Sequence, residues 1–391
     1  MVVLPDLPDA FLVAATHAAF AKFRYKPADG TFTVLASFAL LSEKEDECKL
    51  LSIATGTKCL PLERLSRAGD SLHDGHAEIL ARRSAVRWFL EEIARSAESS
   101  STWIELVDDG KWSLRPGIRL VMYVSMLPCG DASMQHLAVQ QDPTVADRMS
   151  SVEFASLPED LASRGRVDYS RLGVLRTKPG RVDSPPTACM SCSDKIALWS
   201  VCGIQGALGA SFLRPVYIDT IVIGDVAPEH RALAATACQR AFVGRISNGT
   251  GPLPHGYESH APRIAFTEQQ FVFSRTVTGT SSSSHESLCW VADGATKPEV
   301  LVDGIRRGLT PKQRLLPKRK PLLSKASLFL LWHALKLPID KAITYAEAKA
   351  LSEEYQLAKH AVRGPGRPFA GWQRSNILGQ LEQFSVEPAE L

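Results

Sequence analysis

Phe11, Leu12, Ala15, Ala18, Ala19 and Phe23 recur at helical spacing, which predicts an amphipathic first helix over Asp9 to Phe23 with Asp9 as its N-cap. The period then shortens. Thr31 to Leu41 and Lys49 to Thr55 are rich in β-formers, and the polar run Glu43-Lys44-Glu45-Asp46-Glu47 between them predicts two strands joined by a charged turn. A polar loop carrying Gly56, Pro61, Gly69 and Gly75 follows, and helical spacing returns from His76 to about Ala97. There Ile79, Leu80, Ala85, Val86, Phe89, Leu90 and Ile93 make a core-facing stripe, with Arg82, Arg83 and Arg87 largely off it. Trp103 to Val107 and Ile118 to Met126 read as strands, the second apolar enough to be buried on both faces. From about 141 to 188 the pattern is weak, which predicts a long irregular insertion. A short helix is expected after Met190 to Lys195, a strand at Val216 to Ile223, a helix at Glu229 to Val243, and an exposed turn or mobile loop at Thr276 to Ser284. Leu322 to Leu337, Tyr345 to His360 and Gly371 to Leu381 predict three closing helices. With no long linker before them, the chain reads as one domain, 1–391, with a helical C-terminal part from about 321.

Composition narrows the class. Apolar residues make up 45% of the 391 positions, ample for a sizeable core, and the net charge of +3 is too mild to announce a nucleic-acid binder. Charge is uneven, however: Arg306 to Lys325 holds eight basic residues and no acidic one, a pattern that by itself fits a solvated loop. The N-terminus lacks the basic region of a secretory signal, and no run reaches the length of a membrane span. An intracellular protein is expected, in cytoplasm or nucleus, with its eight cysteines reduced and either buried or metal-bound.

Three stretches share one local design. His76, Cys129 and Cys192 each stand at the start of a predicted helix, where positive dipole ends favour thiolates. One histidine and two cysteines give zinc three protein ligands and leave a fourth position for water, the arrangement of a catalytic site. Glu78, two residues past the histidine, suits a proton shuttle that is not itself a ligand, so the set fits hydrolytic deamination. The competing reading adds Cys189 of the Cys189-Met190-Ser191-Cys192 motif to make a closed structural zinc site in a non-catalytic RNA-binding protein. That reading leaves Pro128-Cys129-Gly130 and Glu78 without a role, and the catalytic one is preferred.

The second thiolate comes 63 positions after the first rather than from the same helix start. In this the chain resembles the adenosine deaminases that act on RNA, including their eukaryotic tRNA-specific branch. The motifs matched in order are Ala54 to Cys59, His76 to Ser84, Pro128 to Ala132, Met190 to Ala197, Gly203 to Ala207 and Tyr355 to Lys359. The resemblance implies zinc on His76, Cys129 and Cys192, with Glu78 as proton shuttle to a water that attacks C6 of adenosine. It implies a mixed α/β sheet of the cytidine-deaminase type, flanked by helices and carrying a helical C-terminal extension. It also implies a buried inositol hexakisphosphate, at positions Arg82, Arg83, Lys195, Lys325, Tyr345, Lys349, Tyr355, Lys359 and Trp372. Such a polyanion would explain cations on otherwise apolar helices, where an uncompensated charge is costly. Leu198 stands where the family usually has arginine, and Arg374 where an acidic residue can occur.

Among RNA substrates, the family's duplex editors use additional RNA-binding domains and a longer base-flipping loop between the cysteine ligands. Here only Pro179 to Ser191 separate Arg176-Thr177-Lys178 from Cys192. Extruding a base is easiest where it is already single-stranded, so a tRNA loop is the expected substrate, namely the adenosine just after the anticodon of alanine tRNA. Editing of structured mRNA or double-stranded RNA is the alternative. Expected RNA contacts are Thr57, Lys58, Arg176, Lys178 and Arg181. No membrane and no obligate protein partner are expected.

Overall fold

The computed structural model describes residues 7–42, 44, 47–139, 162–166, 168–180, 184–294, 297–314, 316–336, 343–373 and 381–386. Its centre is a mixed sheet of eight strands: β1 (Leu35–Ser42), β2 (Glu47–Thr55), β3 (Ile118–Val124), β4 (Ile218–Ile223), β5 (Arg263–Phe266), β6 (Glu286–Val291), β7 (Glu299–Val302) and β8 (Ile305–Arg306). The order is β8-β7-β6-β2-β1-β3-β4-β5. β3, β4 and β5 run parallel, and the remaining neighbours are antiparallel.

Period-two alternation divides β1 and β3 between two cores. Ala36, Phe38, Leu40, Leu120, Met122 and Val124 join the cluster under α2 (Ala77–Arg95), while Leu35, Ala39, Leu41, Val121 and Tyr123 join the cluster under α1 (Leu7–Lys22). The two-sided burial expected of the third strand is observed over Leu120 to Val124. The α2 face also receives α3 (Asp131–Val139), α4 (Cys192–Cys202) and α5 (Arg231–Gln239). The chain thus has the expected mixed α/β architecture, with helices on both sides of the sheet.

Several boundaries differ from the sequence expectation. α1 starts at Leu7, so Asp9 lies within the helix rather than capping it. The segment from 276 to 284 is tied down: Phe32 donates to the Ser282 carbonyl (2.9 Å), and Ser284 donates back to Phe32 (2.8 Å). After α6 (Lys325–Leu335), the expected long helix is two, α7 (Tyr345–Ala350) and α8 (Glu353–Arg363). The break falls at Ser352, whose hydroxyl donates to the Ala207 carbonyl at 2.6 Å and pins the chain there. The expected helix over Gly371 to Leu381 lies mostly outside the described residues, as does most of the insertion, including Arg181.

Candidate active site

Three helix starts meet at one point beyond the end of β3. His76 occupies the N-cap position of α2, Cys129 precedes α3 by two residues, and Cys192 opens α4. His76 Nδ1 lies 3.8 Å from Cys129 Sγ and 3.5 Å from Cys192 Sγ, and the Cys192 amide donates to Cys129 Sγ at 3.4 Å. The turns that carry the two cysteines are zipped together. Ser193 donates from both its amide (3.0 Å) and its hydroxyl (2.9 Å) to the Cys129 carbonyl. Gly130 has φ +101°, and a Cβ there would lie 2.1 Å from Ser191 Oγ, so only glycine permits this approach. Ser191 caps α4, accepting from the Asp194 amide at 3.1 Å.

His76, Cys129 and Cys192 offer one nitrogen and two sulfurs within 4.8 Å of one another, a donor set suited to zinc. Cys189 is not in this group. Its thiol lies 3.6 Å from the His73 carbonyl and hydrogen-bonds Cys59, so the four-ligand structural site weighed from the sequence does not form here. A hydrogen bond from Cys192 holds the Cys129 thiol well below its ordinary range, against burial and with the charge of Lys178 assisting. Burial, and then the hydrogen bond to Cys129, push the Cys192 thiol up, against the charge of Lys178. Glu78 is 3% exposed, burial raises its carboxyl, and its Oε2 has no hydrogen-bond partner among the described residues. It is a buried carboxylate oxygen left for something other than protein.

Behind the ligands lies a charged relay. Lys178 Nζ donates to Cys192 Sγ (3.2 Å) and to both Asp74 oxygens (3.0 and 2.8 Å). Asp74 in turn accepts from the His76 amide (3.1 Å), from Cys59 Sγ (3.2 Å) and from Lys195 Nζ. Burial opposes ionisation of Asp74, but Lys178 and Lys195 overcome it and hold the carboxyl well below the usual range.

Lys195 also lines a cavity of about 590 Å³. Of the nine positions expected to hold a polyanion, eight are in its wall: Arg82, Arg83, Lys195, Lys325, Lys349, Tyr355, Lys359 and Trp372. Tyr345 is not in the wall; the ammoniums of Lys325 and Lys349 lie 5.8 and 5.3 Å from its ring centroid. Arg363 adds a seventh cation, against two carboxylates, Asp74 and Glu382. Burial lowers Arg82 to about 10 and Lys359 to about 8, the latter with help from Lys349 and Arg363. So dense a set of half-buried like charges fits a polyanionic ligand.

Residues 52–376 match the adenosine-deaminase (editase) domain. The chain belongs to this family. A tRNA-specific adenosine deaminase 1 from Schizosaccharomyces pombe is 30% identical over 331 residues, 82% of each chain. That of Saccharomyces cerevisiae is 29% identical, covering 82% of this chain and 79% of its own. A double-stranded RNA-specific editase Adar from Drosophila melanogaster is 28% identical, covering 80% of this chain and 45% of its own. The protein is therefore a hydrolytic deaminase, in a family that generally uses zinc, with a His/Cys set able to hold it.

In this deaminase two of the expected RNA contacts are in the wrong place for the task. Arg176 is wholly buried and donates to the carbonyls of Gly165 (3.2 Å), Asp168 (2.9 Å) and Arg171 (2.5 Å), stapling the 163–171 loop. Lys178 is buried in the relay just described. Their charges are consumed by interior partners, which charge counting along a loop cannot reveal. Thr57 and Lys58 are half-buried on the segment that pairs with Gly75, one residue before His76 (Gly75 amide to Lys58 carbonyl, 2.8 Å). Asp74, Glu382 and Arg363 are not singled out by the sequence, and Cys59 stands there only as the end of a matched motif. For Arg363 a signal exists: Gln356, Lys359, His360 and Arg363 follow helical spacing and all reach the cavity wall.

Proposed function

We propose that this deaminase converts adenosine to inosine in tRNA, at the adenosine just after the anticodon of alanine tRNA. The observation that carries the chemistry is the convergence of His76, Cys129 and Cys192 beside the unpartnered carboxylate oxygen of buried Glu78. Zinc, when bound by those three residues, lowers the pKa of a water to roughly 7. Glu78, kept in a dry environment that raises its carboxyl, takes a proton from the attacking water and returns it to the purine. The water oxygen bonds C6 as its first proton passes to N1; the remaining hydroxyl proton then passes to N6, the C6–N6 bond breaks, and ammonia leaves as the C6 carbonyl of inosine forms. Lys178 bridges Cys192 Sγ and the carboxylate of Asp74 and holds the two in register. The substrate class is supported by relatives named as tRNA-specific that match over about four-fifths of both chains, and by the short Pro179 to Ser191 connection.

The same reading assigns inositol hexakisphosphate to the cationic cavity, held by Arg82, Arg83, Lys195, Lys325, Lys349 and Lys359 with Tyr355 and Trp372. Tyr345 acts through the two lysines above its ring. The whole chain is one deaminase domain, working in cytoplasm or nucleus; among the described residues no helix is long and apolar enough to cross a membrane.

Turnover of free adenosine, duplex RNA and alanine tRNA measured side by side tests the assignment. Preference for the tRNA is expected, and equal turnover of all three overturns it. Glu78→Ala is expected to keep zinc and fold while losing at least about a hundredfold in inosine formation. Cys192→Ala is expected to lose metal together with activity.

A further inference from the structure

The basic run from Arg306 to Lys320 is not absorbed by the catalytic site, and the structure gives it a shape. It folds round a groove of about 530 Å³ lined by Arg64, Arg306, Arg307, Arg314, Arg319 and Lys320, against only two carboxylates, Asp70 and Asp303. The cations come from three separate segments: the loop after β2, the β7–β8 hairpin, and the stretch before α6. The hairpin turns on Asp303 and Gly304, with φ +51° and +73°. It is locked to the loop, because the Leu72 amide donates to the Gly304 carbonyl at 2.8 Å and a Cβ at Gly304 would lie 2.2 Å from the Leu72 carbonyl oxygen.

This places the groove next to the active site. Ser71, in the groove wall, is five residues before His76, so that wall begins within about 18 Å of the candidate metal ligand at ~3.5 Å per residue. That span corresponds to about five nucleotides of a stacked strand at ~3.4 Å each. Protection of the exposed sheet edge would account for Arg306 and Arg307 on and beside β8. It does not account for Arg64, Arg314, Arg319 and Lys320 facing the same concavity. Ion pairs hold three of these arginines in place: Arg64 with Asp303 (2.8 Å), Arg306 with buried Glu299 (3.3 Å) and Arg307 with Glu286 (3.0 Å). With Asp70 that sets four carboxylates against the six cations, so the groove keeps an excess of positive charge.

We infer that this groove binds the phosphate backbone of the substrate RNA flanking the reacting nucleotide. The inference rests on the RNA-deaminase reading and adds to it where the strand runs. It is tested with Arg314→Gln/Arg319→Gln/Lys320→Gln, by following tRNA binding from 50 to 200 mM salt. Three lost phosphate contacts are expected to reduce the slope of log K against log salt by about 2 to 3 and to weaken binding about tenfold or more at 100 mM salt. In turnover the loss is expected in KM rather than kcat. Arg314→Lys/Arg319→Lys keeps the charges and should keep the wild-type slope. Wild-type slope and affinity in the glutamine variant overturn the inference. If that variant does not fold, Arg314→Gln alone decides, by a drop in slope of about 0.7 to 0.9 or none. Wild-type protein that binds tRNA in this way but makes no inosine would instead refute the catalytic reading and leave the groove standing.

Discussion

Lys178 shows how much of the site depends on a single buried charge. Its ammonium touches Cys192 Sγ and both oxygens of Asp74, and burial, which favours the neutral amine, is outweighed by these anions, so the group stays charged. Removing it leaves Cys192 without its cation and Asp74 with Lys195 alone beneath the His76 amide. Partners of this kind orient metal ligands and set their basicity. Lys178→Met is expected to weaken zinc about 10- to 100-fold, measured by competition with a chromophoric chelator. Unchanged zinc affinity would show that the ammonium serves only Asp74.

At the level of elements, α4 delivers a metal ligand from its first turn, so its cap is a catalytic matter. Ser191 Oγ accepts from the Asp194 amide and donates to Asp194 Oδ2 at 2.7 Å, while Arg245 pairs with the same buried carboxylate at 2.6 Å. Ser191→Ala should lower unfolding stability by about 1–2 kcal/mol with an unchanged m-value in urea. A variant as stable as the parent would place the hold on this turn in the Arg245 pair. How legible such elements are from sequence depends on length and partner. α2 and β3 carry long apolar patterns, and the sequence places them to within a few residues. β5, β7 and β8 are two to four residues long, too short for periodicity, and exist because neighbouring strands supply their hydrogen bonds. The ligands His76, Cys129 and Cys192 were readable because helix starts and residue type together specify thiolate chemistry. Arg176 and Lys178 were not, since a cation's sequence neighbours do not disclose whether its counter-charge is an RNA phosphate or a buried carbonyl.

For the molecule as a whole, the cationic cavity couples folding to ligand. Its wall draws on α2, α4, α6, α7 and α8, so these helices pack against one another only by bringing seven cations round one space. Lys359 reports on that cost. Burial first, then Lys349 and Arg363, bring it to about 8, whereas an unfolded lysine titrates near 10.4. Below pH 8 both states are protonated and the penalty is present in full, roughly 3 kcal/mol at about 1.4 kcal/mol per unit. Between about pH 8 and 10.4 the unfolded state binds more protons, so stability of the ligand-free protein rises with pH. A bound polyphosphate reverses the local field and lifts Lys359 back up, which removes that rise. Chemical denaturation at pH 7, 8, 9 and 10 should therefore show stability increasing with pH without added inositol hexakisphosphate and flat or falling with it. Lys359→Met should flatten the ligand-free profile and bind the polyphosphate less tightly. If the wild-type profile is the same with and without the ligand, the cavity is not its site, and the seven cations need another counter-ion.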